Sequence, residues 1–244
     1  MVFPMTKRIF LLMLIIILLQ ILLFDYFDGS IADLTGYMIV SGVPVSNKFV
    51  VLGTWYMFFA GLSFLSLGYM RKYISGYGVY LMIREKSRVK LGFRRIGNLM
   101  ILIFGLSSIQ FLFSIVFAFI TNEEQAFFYD DFQSFIWIAS LYMLSNFVLI
   151  FIQMALQLHV TEEVALLLTN VYVLVSVTLG GVLLSAQKLT WLLYFLVPNF
   201  GMYVRSDVLE MGGISAVHAY IVLTVMTLIL TVLTYGRLKK IDLI

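Results

Sequence analysis

Six apolar runs divide this chain, and each is about as long as a bilayer is thick. They cover residues 9–24, 49–70, 96–120, 132–158, 164–184 and 216–235. A helix rises 1.5 Å per residue, so roughly 20 apolar residues cross the hydrocarbon. Lipid offers the backbone no hydrogen-bond partners, so such runs fold as helices that satisfy their own amides. The expected architecture is therefore all-α and polytopic: one transmembrane domain, residues 1–244, with six spans. The run 9–24 is short and should extend by a few residues. The runs 96–120 and 132–158 are long and should tilt or protrude. Composition agrees, because 62% of residues are hydrophobic and 12% charged, against about 25% charged in soluble domains. The N-terminal run follows Lys7 and Arg8 as in a signal peptide. No small-residue cleavage site comes after it, so it reads as an uncleaved first span.

The charges set the orientation. With the N-terminus inside, the inner segments are 1–8, 71–95, 159–163 and 236–244. They hold 13 of the 16 Lys and Arg residues, and only Lys48, Lys188 and Arg205 remain outside. Nine of the 13 acidic residues fall outside. Basic residues near span ends stay in the cytoplasm, so both termini are expected there. The pI near 9.0 is thereby a topology signal, and no nucleic-acid partner is needed to explain it. The expected location is the bacterial cytoplasmic membrane, multi-pass.

The chemistry available to the chain is narrow. It has no cysteine and two histidines. His159 and Glu163 stand four apart, His218 is expected across the membrane, and no metal set of three or four ligands forms. No G-x-x-x-x-G-K-[ST] loop is present, so the chain holds no nucleotide phosphate itself. No nucleophile–base arrangement stands out either, and an enzyme is not expected. The Glu162–Glu163 pair resembles the start of an intramembrane CAAX-type protease motif, but "VALLLTN" follows it without the arginine. The plainer reading places both acids at the N-terminus of the fifth helix, with Thr161 as its cap. No charge lies in the middle of a run, which argues against an ion-coupled pump. The polar residues in the runs, among them Gln20, Gln110, Asn146, Gln153, Gln157 and Asn170, fit interhelical hydrogen bonds. Gln110, Asn146, Gln153 and Asn170 are also the residues to line a substrate path, if one exists. Gly180 and Gly181 are placed to allow close packing in the fifth span.

The segment Gly76 to Arg95, "GYGVYLMIREKSRVKLGFRR", holds six basic residues between spans two and three. As a helix over 78–96 it sets Arg84, Arg88 and Arg95 opposite Val79, Met82, Ile83, Val89 and Phe93. Lys86 and Lys90 intrude on the apolar side, and Gly92 is a possible break before the third span. Such a segment fits the cytoplasmic interface, anchored on anionic lipid or docked on a protein.

The whole chain resembles the six-span membrane subunit of a bacterial ABC exporter of the second permease type. It is similar to small permeases that serve peptide-antibiotic export and self-immunity. The resemblance rests on "YLMIREKSRVKLGFRR", the "HVTEE" turn, "LVPNFGMYVRSD" before span six, and the plan with both ends inside. It implies a coupling helix over Tyr77 to Arg88, with Tyr77, Tyr80, Arg84, Glu85 and Arg88 against a separate ATPase. It also implies an outer re-entrant segment containing Pro198, Asn199, Met202 and Arg205. ATP and Mg would sit on the partner ATPase and none on this chain. A second permease, the same or different, would complete a dimer. The implied function is export of an amphipathic peptide: an antibiotic, bacteriocin or toxin-like molecule. The alternative is a non-transporting six-span immunity, sensor or assembly protein.

Overall fold

The computed structural model describes residues 7–27, 49–70, 88–120, 132–187, 189–207 and 213–240. The architecture is all-helical, and the described residues contain no strand beyond one isolated bridge between Ser206 and Ile214. Among the described residues six α-helices follow one another: α1 (Lys7–Phe27), α2 (Phe49–Leu65), α3 (Arg88–Ile120), α4 (Phe132–Leu156), α5 (Glu162–Ala186) and α6 (Ala216–Lys240). Between α5 and α6 the chain forms three short 3₁₀ turns, Thr190–Phe195, Val197–Asn199 and Tyr203–Arg205.

Four of the helices are long and apolar enough to cross a membrane, through Gly92–Val116, Ile136–Leu156, Glu162–Ala186 and Ala216–Lys239. The apolar stretches of α1 and α2, Phe10–Gln20 and Val51–Leu65, are shorter. The helices alternate in direction. Met13 of α1 meets Gly61 of α2, while Gln20 meets Trp55. Gly92 near the start of α3 meets Leu238 near the end of α6. The end of the bundle at which α1 begins is called proximal below, and the opposite end distal.

The centre of the bundle is α4. In its apolar window 72% of residues are buried, against 33% in α3 and in α5 and 11% in α6. It packs on α2, α3, α5, α6 and the Val197–Asn199 turn. By contrast α6 lies at the periphery and exposes Val217, Ile221, Val225, Leu228, Val232 and Leu233. In water such a face would be a liability, whereas lipid is as apolar as these side chains.

Polar side chains tie the helices together inside. Gln110 Nε2 of α3 donates to Gln20 Oε1 of α1 at 2.7 Å, and Gln20 Nε2 donates to the Trp55 carbonyl of α2 at 3.4 Å. The Tyr142 hydroxyl of α4 donates to Gln110 Oε1 at 3.1 Å. A second set lies nearer the proximal end. Ser63 Oγ of α2 donates to Gln153 Oε1 of α4 at 2.6 Å, and Gln153 Nε2 returns to the Ser63 carbonyl at 2.9 Å. Asn170 Nδ2 of α5 donates to Ser63 Oγ at 2.8 Å, and Tyr56 caps the set by donating to Asn170 Oδ1.

Several expected boundaries move. The run 49–70 is helical only to Leu65, and turns through Gly68, at φ 66°, carry it to Met70. The fourth helix ends at Leu156, where the chain turns through 157–160. Gly92 does not break a helix. Instead α3 runs unbroken from Arg88, because the missing Cβ lets Leu238 pack there; an added one would sit 2.4 Å from Leu238 Cδ1. Thr161 holds the N-cap position of α5 in extended geometry, but its side chain makes no cap hydrogen bond.

The Ser63–Gln153 pair is exchanged across two helices in both directions. A double-mutant cycle on Ser63→Ala and Gln153→Leu, read by SDS-induced unfolding, should give a coupling of about 0.6–1.7 kcal/mol. Strict additivity would mean that the pair contributes nothing.

Candidate functional site: an irregular segment folded back into the bundle

At the distal end of α5 the chain reverses sharply. Gln187 and Leu189 both take left-handed backbone angles, with φ of 48° and 53°. Leu189 is exposed, and the Thr190–Phe195 turn that follows it exposes Trp191 and Phe195. Trp191 and Phe195 meet edge to face at 6.1 Å, an arrangement suited to a membrane interface, where amphipathic rings anchor. Beyond it the chain goes inward. Val197, Pro198, Asn199, Phe200, Gly201, Met202, Val204, Arg205 and Ser206 are all buried.

Small residues and backbone carbonyls make this burial possible. A Cβ on Gly201 would lie 2.5 Å from Tyr142 Cα, so the segment meets α4 backbone to backbone. A Cβ on Gly180 would lie 2.5 Å from Asn199 Oδ1 and 2.8 Å from Arg205 Nη1. The glycine thus opens the side of α5 and exposes the carbonyls one turn before it. Asn199 Nδ2 donates to the Ser176 carbonyl at 3.1 Å and to the Leu196 carbonyl at 2.9 Å. Arg205 Nη1 donates to the Val177 carbonyl at 2.7 Å and also to Asn199 Oδ1. The Tyr172 hydroxyl donates to the Phe195 carbonyl at 2.7 Å and accepts from the Val197 amide at 3.3 Å. Carbonyls have two lone pairs, so Ser176 and Val177 can serve the helix and the segment together. Beyond Arg205 the chain is pinned again, as Ile214 N donates to the Arg205 carbonyl at 2.8 Å and Asp207 N to the Ile214 carbonyl at 3.1 Å.

Arg205 has no exposed surface. Its contact at Val177 lies nine residues before Ala186, the end of α5, which is ~14 Å along the helix. The charge pattern puts Arg205 on the outer side, and the resemblance puts it in a re-entrant segment there. In the structure it is a buried cation held by the Val177 carbonyl and the Asn199 amide oxygen. Arg suits that task because its flat, weakly hydrated head offers several donors in a fixed fork. Gly180 does serve close packing, and its neighbour is this irregular segment.

The structure therefore brings Pro198, Asn199, Met202 and Arg205 together against α4 and α5. It brings Gln110 onto Gln20 and Tyr142, and Gln153 and Asn170 onto Ser63. Gln110 and Gln153 have no exposed surface. Asn146 is buried one turn after Tyr142, and its Nδ2 finds no partner among the described residues. Tyr77, Tyr80, Arg84 and Glu85 lie outside the described residues, and Arg88 opens α3. Tyr172 and Tyr142, which hold the segment and the distal polar set, were missed. A tyrosine in an aromatic-rich apolar run gives no signal that its hydroxyl has a task.

Taken together, these helices and the inserted segment define an all-helical transmembrane protein. The chain belongs to the family described as Protein of unknown function (DUF2705), which matches residues 10–244. It is similar to the uncharacterized protein YybK of Bacillus subtilis (strain 168), at 24% identity over 216 residues, or 84% of this chain and 85% of that one. No solved structure matches.

Two substitutions test the cradle. Gly180→Ala puts a methyl where Asn199 and Arg205 sit and should destabilise by about 1–3 kcal/mol. Arg205→Lys loses the fork and should cost a similar amount. Because both act on one cradle, the double variant should lose less than the two losses added. Unfolding free energies in SDS report all three, and a neutral Gly180→Ala would contradict the geometry.

Proposed function

We propose that this chain is the membrane-spanning permease subunit of an ABC transporter. In this reading α1 to α6 all span the bacterial cytoplasmic membrane and both termini are cytoplasmic. A separate subunit hydrolyses ATP, and a second permease, identical or different, completes the complex. The cargo is an amphipathic peptide leaving the cell, of the antibiotic, bacteriocin or toxin-like kind.

The observation that carries the reading is the buried segment between α5 and α6. It lies where the resemblance calls for a re-entrant segment on the outer side, and it holds the same four residues. The charge distribution supports the orientation, since Lys90, Arg94, Arg95, Arg237 and Lys239 all fall at the proximal end. The course of α3 supports a route for coupling. It starts at Arg88, the last coupling residue, and runs 33 residues to Ile120, ~50 Å. Its start is braced by α6 at Leu238, and by Tyr69, whose ring lies 5.5 Å from the Arg95 guanidinium. A push on residues 77–88 would enter a continuous rod packed on α1, α4 and α6.

A second reading, a non-transporting immunity, sensor or assembly protein, is favoured by one observation. Gln110 and Gln153 spend their side chains on neighbouring helices, which leaves these two without a surface for cargo.

Affinity purification of the tagged protein from its native membrane, probed for a co-purifying ABC ATPase, separates the two. A permease should co-purify with that ATPase, and alanine at Arg84, Glu85 and Arg88 together should abolish the complex while the protein still melts normally. A complex untouched by the triple variant, or none with the wild type, would sink the coupling assignment. Topology is checked independently, because the chain has no cysteine. Single cysteines at Asp28 or Glu123 should react with impermeant maleimide in intact cells, and one at Lys86 should not.

A further inference from the structure

The proximal ends of α4 and α6 enclose a cavity of about 140 Å³ lined by Ile152, Ala155, Leu156, Leu230, Leu233 and Thr234, with Leu158 and His159 closing one side. Its walls are almost wholly aliphatic. Apolar cavities of roughly this size stay dry and take hydrocarbon. Leu233 is also among the exposed side chains of α6, so the groove communicates with the face turned to lipid.

Two further features give it a polar mouth. Arg237 sits one turn beyond Leu233 on the same helix, and its Nε donates to the Leu158 carbonyl at 3.2 Å. That bond fixes the guanidinium beside the groove. Lys239 follows, exposed. Thr234 lines the groove, is 2% exposed, and its hydroxyl has no hydrogen-bond partner among the described residues. A buried hydroxyl left unsatisfied costs about 1–3 kcal/mol, so its place in the wall points to an absent acceptor. Glu162 and Glu163, in the first turn of α5, put opposing charge at this end, so the attraction at the groove rests on Arg237.

We propose that the groove between α4 and α6 binds one anionic phospholipid, its acyl chain between Ile152, Ala155 and Leu230 and its phosphate at Arg237. The proximal end is the basic end of the chain and so faces the cytoplasmic leaflet, where anionic headgroups concentrate. The inference does not depend on the transporter reading. It requires only that the basic end face that leaflet.

Native mass spectrometry of the full-length protein, titrated with phosphatidylglycerol or phosphatidylcholine, tests it. One phosphatidylglycerol should bind at least tenfold more tightly than phosphatidylcholine. Arg237→Gln should erase most of that preference while leaving the helical circular-dichroism spectrum unchanged. Ala155→Leu, which fills the groove, should weaken both lipids. Inorganic phosphate at millimolar concentration should not displace the bound lipid. Equal binding of the two lipids, an unchanged preference in Arg237→Gln, or displacement by phosphate alone would each overturn the proposal. So would a groove protected by a second copy of the chain, seen as a dimer that excludes lipid.

Discussion

Hydrocarbon has no hydrogen-bonding capacity, and that one property governs this fold. Every polar atom brought into the bundle needs a partner from the protein itself. The helices satisfy their own backbones, and two sets of buried side chains are satisfied by crossing between helices. Gln20, Gln110 and Tyr142 join α1, α3 and α4. Ser63, Gln153 and Asn170 join α2, α4 and α5. Without such pairs, contact between apolar helices in lipid has no hydrophobic driving force. The central position of α4 follows, since it supplies a partner to both sets.

The same rule explains the irregular segment. Non-helical backbone at membrane depth is tolerated only when protein surrounds it. Here α4 and α5 surround residues 197–206, with Gly180 and Gly201 removing the side chains that would hold them off. Arg205 then satisfies itself on a carbonyl of α5 and on Asn199. A buried cation has a desolvation cost of several kcal/mol unless it is fully hydrogen-bonded. Its cradle is therefore the most demanding arrangement in the molecule, and the one a small change in geometry would disturb first.

The helices at the six apolar runs were legible in the sequence because run length and apolar content act locally. Their ends were less so. Leu65 and Leu156 stop helices inside apolar runs, and at Gly92, where Leu238 of a neighbouring helix packs, a helix continues. The segment containing Pro198, Asn199, Met202 and Arg205 was visible as a distinct stretch, but its depth was not. "LVPNFGMYVRSD" is polar enough to read as a loop, and only the approach of Gly180, eighteen residues before Pro198, makes room to bury it. The polar pairs were foreseen as a class. Which residue met which depends on helix rotation, which spacing alone leaves open.

The central claim is that residues 197–206 are part of the packed bundle rather than a loop lying over it. Hydrogen–deuterium exchange of the full-length protein in lipid nanodiscs addresses this directly. The amides of Asn199, Phe200, Met202 and Arg205 donate to backbone carbonyls in the interior, so peptides covering them should exchange as slowly as those from the middle of α5. Exchange of that segment within seconds, while α5 remains protected, would contradict the account.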